Sequence, residues 1–240
     1  ADALHKLGYC DEAWHVLEDL HNEYTVDPKL AFILGQIKHD MGYLNEAHQF
    51  LRFAWLSSPD EDITTSYSKL LLDLKEQDNN SEAELSKIDQ ELEEILHNLQ
   101  NESNDQMPFE KRLLFADIKN ALGQHQKAYD EYLCLLSDPS SKSSRVYSSL
   151  QYKIGNASIK LKLHEEGLAA LQEAVVTEPN NHHFRRALAE AYIRFELTED
   201  AKSSAKAALQ ISPHDLDNIL WYSNFMVNNG EPQKAISSLK

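Results

Sequence analysis

Residues 148–181 read SSLQYKIGNASIKLKLHEEGLAALQEAVVTEPNN and contain the pattern of two short amphipathic helices. Apolar or small residues recur every three or four positions, as they do on the buried face of an α-helix. One face of the first helix carries Leu150, Ile154, Ser158 and Leu161, and one face of the second carries Leu168, Leu171, Ala174 and Val175. Gly155 and Gly167 leave room for two helix backbones to approach closely, and Pro179 ends the second helix. The stretch therefore predicts a helical hairpin.

These features recur with a period of 34 residues along most of the chain. Gly167, Ala174 and Pro179 are followed 34 positions later by Ala201, Ala208 and Pro213. Near the start, the hexapeptide GYCDEA at 8–13 is echoed by GYLNEA at 42–47, and a further copy has Phe115, Ala116, Gly123, Ala128 and Tyr132 at the matching offsets. A period of this length indicates stacked helical repeats, in which each unit buries its apolar face against its neighbours.

The period, the small residues and the closing proline together resemble the tetratricopeptide repeat. The unit at 148–181 departs from the family pattern at the first aromatic position, which is Gln151, and at the tyrosine position, which is Ser158. The resemblance implies an all-α fold, a right-handed α-solenoid of antiparallel helix pairs. Each unit then has a first helix, which lines the concave groove, and a second helix.

The sequence is divided into three predicted segments according to how closely each follows the repeat pattern. Residues 1–61 contain N-terminal repeats, 62–108 a degenerate repeat with a long acidic helix and a polar loop at 101–106, and 109–240 the C-terminal repeats. In this frame the first and last repeats are truncated. We therefore expect the chain to be a fragment of a larger protein.

The long helix of the middle segment supports two hypotheses. Ser81 and Glu84 form a capping box at its start, and a heptad-like stripe follows, made of Leu85, Ile88, Leu92, Ile95 and Leu99. In the first hypothesis this helix is the lengthened second helix of a degenerate repeat and its stripe is buried. In the other, residues 81–100 protrude and mediate self-association or docking.

Charge argues against two classes of partner. The net charge is −16, and residues 60–105 hold fourteen acidic residues against Lys69, Lys75 and Lys87. Binding to nucleic acid or to an anionic membrane needs a net basic surface, so neither is predicted. No run of about 18 apolar residues occurs, so no membrane insertion is predicted either.

No cofactor, metal site or enzymatic activity is predicted. The phosphate-binding, dinucleotide-binding, nucleophile-elbow and zinc-protease motifs are all missing from the sequence. Cys10 and Cys134 have no metal-type spacing, and their low number favours a reducing, cytoplasmic location. His182 and His183 are adjacent, and neighbours on a helix point about 100° apart, which argues against a shared metal.

The resemblance implies which side chains face the groove. They are the second, fifth, ninth and twelfth positions of each first helix, and the candidates for partner binding are Tyr152, Asn156, His183, Arg186, Glu190, Leu220 and Asn224. A mixed aromatic, amide and cationic wall of this kind can hydrogen-bond a peptide backbone and pair with a carboxylate.

One well-known site of the family is not predicted. Chaperone-binding members hold the C-terminal carboxylate of Hsp70 or Hsp90 with Lys, Asn and basic residues. Here Asn156 matches that clamp, but Tyr152, Ala187, Asp217 and Trp221 replace its other members.

The leading functional hypothesis is a non-catalytic scaffold that binds a peptide or partner protein in the concave groove. The alternative is a regulatory or localising arm of a larger enzyme whose catalytic domain lies outside this chain.

Overall fold

The computed structural model describes residues 2–23, 27–77, 80–99 and 107–238. The helices are α1 (Asp2–Lys6), α2 (Cys10–Glu23), α3 (Pro28–Asp40), α4 (Leu44–Ser57), α5 (Glu61–Lys75), α6 (Glu82–Leu99), α7 (Phe109–Ala121), α8 (His125–Leu136), α9 (Ser144–Lys160), α10 (His164–Thr177), α11 (His182–Arg194), α12 (Thr198–Ile211), α13 (Leu216–Asn228) and α14 (Pro232–Ser238). These ranges contain no strand, so the predicted all-α repeat fold is confirmed. Among these helices, none combines the length and apolar character needed to cross a membrane.

Aspartate caps set the starts of α3 and α5. The Asp27 carboxylate accepts a hydrogen bond from the backbone N–H of Lys29, and the first residue of α3 is a proline. The Asp60 carboxylate accepts a hydrogen bond from the backbone N–H of Ile63 at 2.8 Å, so α5 begins at Glu61.

The long helix α6 has the predicted capping box and a buried stripe. Glu84 accepts from the backbone N–H of Ser81 at 2.8 Å, and the Ser81 hydroxyl accepts from the N–H of Glu84 at 3.3 Å. The buried residues of the helix are Ile88, Leu92, Ile95, Leu96 and Leu99, and Leu85 is half-buried. The hypothesis of a buried stripe is therefore confirmed, while the polar loop expected at 101–106 lies outside the described residues.

Glycines allow the paired helices to approach closely. A Cβ atom on Gly35 would lie 2.6 Å from Cγ of Leu51, and one on Gly155 would lie 2.6 Å from Cγ of Leu171. A Cβ on Gly167 would lie 3.0 Å from the Gly155 carbonyl oxygen. Any larger residue would push the paired helices apart, which explains the small residues seen in the repeat pattern.

The chain forms two compact units, Ala1–Gly123 and Gln124–Lys240. In the first unit α4, α5, α6 and α7 share one buried cluster. In the second unit one cluster joins α9, α10 and α11, and another joins α11 to α14. The three-segment division of the sequence stays a prediction.

Candidate interaction surfaces

The first helices α9, α11 and α13 lie side by side in the second unit. The ring of Tyr152 stacks on that of Phe184, with centroids 5.1 Å apart, and this contact joins α9 to α11. Trp221 of α13 donates its indole N–H to Glu190 of α11 at 2.8 Å. The guanidinium of Arg186 lies 4.9 Å from the centroid of the Trp221 ring. Three predicted groove residues therefore contact the next first helix.

Trp221 is a functional candidate that sequence reasoning missed. In the repeat frame Trp221 replaces a basic member of the chaperone clamp, and no other role is predicted for it. In the structure its ring orients both Arg186 and Glu190, which are thus partly engaged before any partner arrives. The available signal was an aromatic residue directly after the predicted groove position Leu220.

The remaining predicted residues differ in exposure. Asn156 is half-buried on α9, and His183 is exposed at the start of α11. On α13, Leu220 and Asn224 are both exposed.

An apolar stripe follows one face of α13, and we call it the α13 stripe. It consists of Leu216, Leu220 and Val227, which are 74%, 54% and 52% exposed. Positions i, i+4 and i+11 lie on the same side of a helix, and exposed Asn224 lies between the last two. Single exposed apolar residues are common on protein surfaces, but an aligned row is typical of a contact surface.

The rings of the two adjacent histidines at the start of α11 lie close together, although neighbouring helix positions were expected to point them apart. The ring centroids of His182 and His183 are 3.9 Å apart. Adjacent Cβ atoms diverge on a helix, but rotation about the side-chain bonds brings the rings back together. Nδ1 of His182 lies 3.0 Å from the Ser212 hydroxyl, and its Nε2 lies 3.4 Å from a carboxylate oxygen of Asp215. Although His183 is exposed, partial desolvation of its ring, with the nearby His182 and Arg186, lowers the pKa of His183.

A cleft between α4 and α6 is the second candidate surface. Its volume is about 750 Å³, and it is lined by His48, Gln49, Arg52, Phe53, Leu56, Lys87, Gln90, Glu91 and Glu94. Helix α6 thus presents a polar face to this cleft, while its apolar stripe is buried. Self-association through α6 would have to use the polar face and stays a hypothesis.

A charged hydrogen-bond network forms one wall of the cleft. The Glu91 carboxylate accepts from the Tyr67 hydroxyl at 2.8 Å, from Nε2 of His48 at 2.8 Å and from Nε of Arg52 at 2.7 Å. Burial alone would raise the pKa of Glu91, but the hydrogen bonds from His48, Tyr67 and Arg52 outweigh it and lower this pKa. Burial and the bond to Glu91 also raise the pKa of Tyr67, which stays neutral.

Comparisons with known proteins agree with the architecture. No protein-family model matches the sequence, and no curated protein is similar to it in sequence. Among solved structures, TTC0263, a thermophilic TPR protein of Thermus thermophilus, is 18% identical with a TM-score of 0.57, and the match covers 84% of this chain and 100% of that one. A tetratricopeptide repeat protein of Parabacteroides merdae is 12% identical with a TM-score of 0.65, covering 93% of this chain and 80% of that one.

A third similar structure belongs to a protein assembly. A chain of the APC/C hetero-tetramer Cut9–Hcn1 is 15% identical with a TM-score of 0.50, and the match covers 96% of this chain and 48% of that one. Identities this low show the fold alone. The chain therefore has the tetratricopeptide-repeat fold.

Proposed function

We propose that this chain is a non-catalytic scaffold that holds a partner protein against the first-helix face of its second unit. The observation that carries the proposal is the α13 stripe, with Leu216 74% exposed and Leu220 54% exposed. Burying such side chains would contribute about 1.5–3 kcal/mol each, which makes the stripe an effective contact surface.

The repeat geometry favours a helix of the partner as the occupant. At the equivalent positions of α11, Arg186 and Glu190 contact Trp221 of the adjacent first helix. The same positions of α13 are Leu220 and Asn224, and both are exposed. A helix can therefore pack on this face of α13 as α13 packs on α11. An amphipathic helix that places large apolar residues on the stripe fits it best. One of the similar solved chains is part of a hetero-tetramer, which agrees with a role in protein assembly.

The polar residues beside the stripe would set orientation. Asn224 offers an amide that can donate and accept, and Glu190 offers a carboxylate already held by the Trp221 indole. The contact with the Trp221 ring already restricts the Arg186 side chain. Pairing with an acidic partner residue therefore costs little further conformational entropy.

The test uses matched substitutions in the whole chain. Leu220→Asp on α13 is compared with Val176→Asp on the second helix α10, since Val176 is also highly exposed. Arg186→Glu is compared with Lys206→Glu on α12, which makes the same change of charge at an exposed site. Co-purified proteins are identified by mass spectrometry, and their contact is mapped with a photo-crosslinker at position 224.

We expect Leu220→Asp to weaken partner capture at least tenfold while it changes the free energy of unfolding by less than about 0.5 kcal/mol. Arg186→Glu should also weaken capture, with a stability loss of about 0.5–1 kcal/mol from the lost contact with Trp221. Val176→Asp and Lys206→Glu should leave capture unchanged. Equal losses in the test and control variants would refute the assignment to this face.

A further inference from the structure

Three potential metal ligands from separate helices meet in the first unit. They are His5 of α1, Cys10 at the start of α2 and Asp40 at the end of α3. Their ligand atoms all lie within 4.8 Å of one another, and Nε2 of His5 is 2.6 Å from a carboxylate oxygen of Asp40. The His5 side chain is only 12% exposed, whereas Asp40 is 57% exposed, so the cluster opens to solvent on the Asp40 side.

The His–Asp pair alone has a structural explanation, because the repeat contains it twice. His39 lies 34 residues after His5, and its Nε2 is 2.7 Å from a carboxylate oxygen of Asp73. Both pairs join successive first helices. The residue equivalent to Cys10 in the second pair is Leu44. The thiol is therefore the feature that sets the first cluster apart from an ordinary repeat contact.

The surroundings of Cys10 favour a cation. The carboxylates of Asp40, Asp11 and Glu12 lie near enough to the Cys10 thiol to place it in a negative field. A bound cation would offset this negative field and stabilise the thiolate. Among the described residues, the Cys10 thiol makes no hydrogen bond that would have to be broken first.

We infer that His5, Cys10 and Asp40 bind one divalent transition-metal ion of the zinc class, with solvent as the fourth ligand. Imidazole, thiolate and carboxylate are the donors that zinc takes in proteins, at about 2.0–2.3 Å. Tetrahedral coordination at these lengths separates the donor atoms by about 3.2–3.8 Å. The His5–Asp40 pair must therefore widen by roughly 1 Å at most, and side-chain rotation on the open side can supply this.

On binding, the Cys10 thiol releases its proton to solvent and the sulfur bonds to the metal. Without metal, Nε2 of His5 contacts the Asp40 carboxylate. On binding, a bond from Nε2 to the metal replaces this contact. The metal would link α1 and α2, the helix pair of one repeat, to α3 of the next repeat. This role is separate from partner binding on the second unit.

The test is titration of the chelator-treated whole chain with Co²⁺, followed by displacement with Zn²⁺. We expect one equivalent of Co²⁺ to produce a thiolate-to-cobalt charge-transfer band that Zn²⁺ abolishes. Cys10→Ser should remove the band and weaken Zn²⁺ binding by at least about tenfold, since even outer-sphere changes cost about 10–100-fold. His5→Gln should weaken Zn²⁺ binding to a similar degree.

Two matched variants serve as controls. Cys134→Ser removes the other thiol, and Asp73→Asn breaks the equivalent pair that lacks a thiol. Both should keep the band and the Zn²⁺ affinity. A wild-type chain without a saturable thiolate band, a band that survives Cys10→Ser, or a band lost in Cys134→Ser would each overturn the inference. Circular dichroism of every variant verifies that the fold is intact.

Discussion

At the scale of single residues, Glu91 of α6 is a charged group that bonds to two neighbouring helices of the first unit. Its carboxylate accepts hydrogen bonds from Tyr67, His48 and Arg52, which come from two other helices. Glu91 is partly buried, and such a carboxylate is tolerated only when its oxygens are satisfied, because desolvation of an unpaired charge is costly. Here three donors compensate that cost, so the network ties α4 and α5 to α6.

We expect Glu91→Gln to lower the free energy of unfolding by about 1.5–3 kcal/mol at pH 7, the range for hydrogen bonds to charged groups. Because the pKa of Glu91 is lowered in the folded chain, its carboxylate stabilises the fold above the unfolded pKa of about 4.3. This contribution is lost as the pH falls through the folded pKa. The difference between wild type and variant should therefore shrink in acid, as measured by urea unfolding between pH 3 and 7.

Glu93→Gln is the control, since Glu93 is exposed on the same helix. It should leave both the stability and its pH dependence unchanged. A Glu91→Gln variant that differs from wild type by the same amount at every pH would contradict the role of the Glu91 carboxylate.

At the scale of elements, the apolar stripe of α6 determines how this helix packs. Leu92 and Ile95 are fully buried among residues of α4, α5 and α7. An 18-residue helix with this much buried surface is part of the core of the unit. Most of its acidic residues, Glu82, Glu84, Glu93 and Glu94, are exposed and lie away from this stripe.

We expect Leu92→Asp to lower the free energy of unfolding by more than about 3 kcal/mol, because it removes a buried side chain and introduces a buried charge. Asn98→Asp introduces the same residue at an exposed position of α6 and should be nearly neutral. Thermal unfolding by circular dichroism measures both. If Leu92→Asp left the melting curve unchanged and abolished self-association, the stripe would be an interface and not part of the core.

At the scale of the whole molecule, negative charge is concentrated in one unit. Residues 1–123 contain 25 acidic and 10 basic residues, a net charge of −15, whereas residues 124–240 contain 14 and 13, a net charge of −1. Like charges on one compact unit repel one another and oppose its folding. Ion pairs such as that of Arg52 with Glu91 offset this repulsion only in part.

We expect added salt to stabilise the first unit more than the second. Raising the ionic strength from about 0.01 M to 0.15 M shortens the Debye length from about 30 Å to about 8 Å, which screens repulsion across the unit. Amide hydrogen exchange mapped by mass spectrometry should show a larger gain of protection in α3–α7 than in α9–α13. The second unit is the internal control, and an equal gain in both units would refute this explanation.

The sequence alone predicted the elements of this fold because its signals are local. The capping box of Ser81 and Glu84 is a contact between residues three positions apart. Gly155 and Gly167 were recognisable as close-approach positions because they stand where two predicted helices of one hairpin meet. Repeat offsets also predicted that Tyr152, Arg186 and Glu190 lie on first helices.

The tertiary structure decided which side chains meet, because those contacts join residues far apart in sequence. Trp221 reaches back 31 residues to Glu190, Glu91 reaches back 43 residues to His48, and Asp40 reaches back 35 residues to His5. A 34-residue period predicts which face of a helix is buried, but not which polar groups of neighbouring helices come within hydrogen-bond distance. That depends on helix packing and side-chain rotation, which periodicity does not encode.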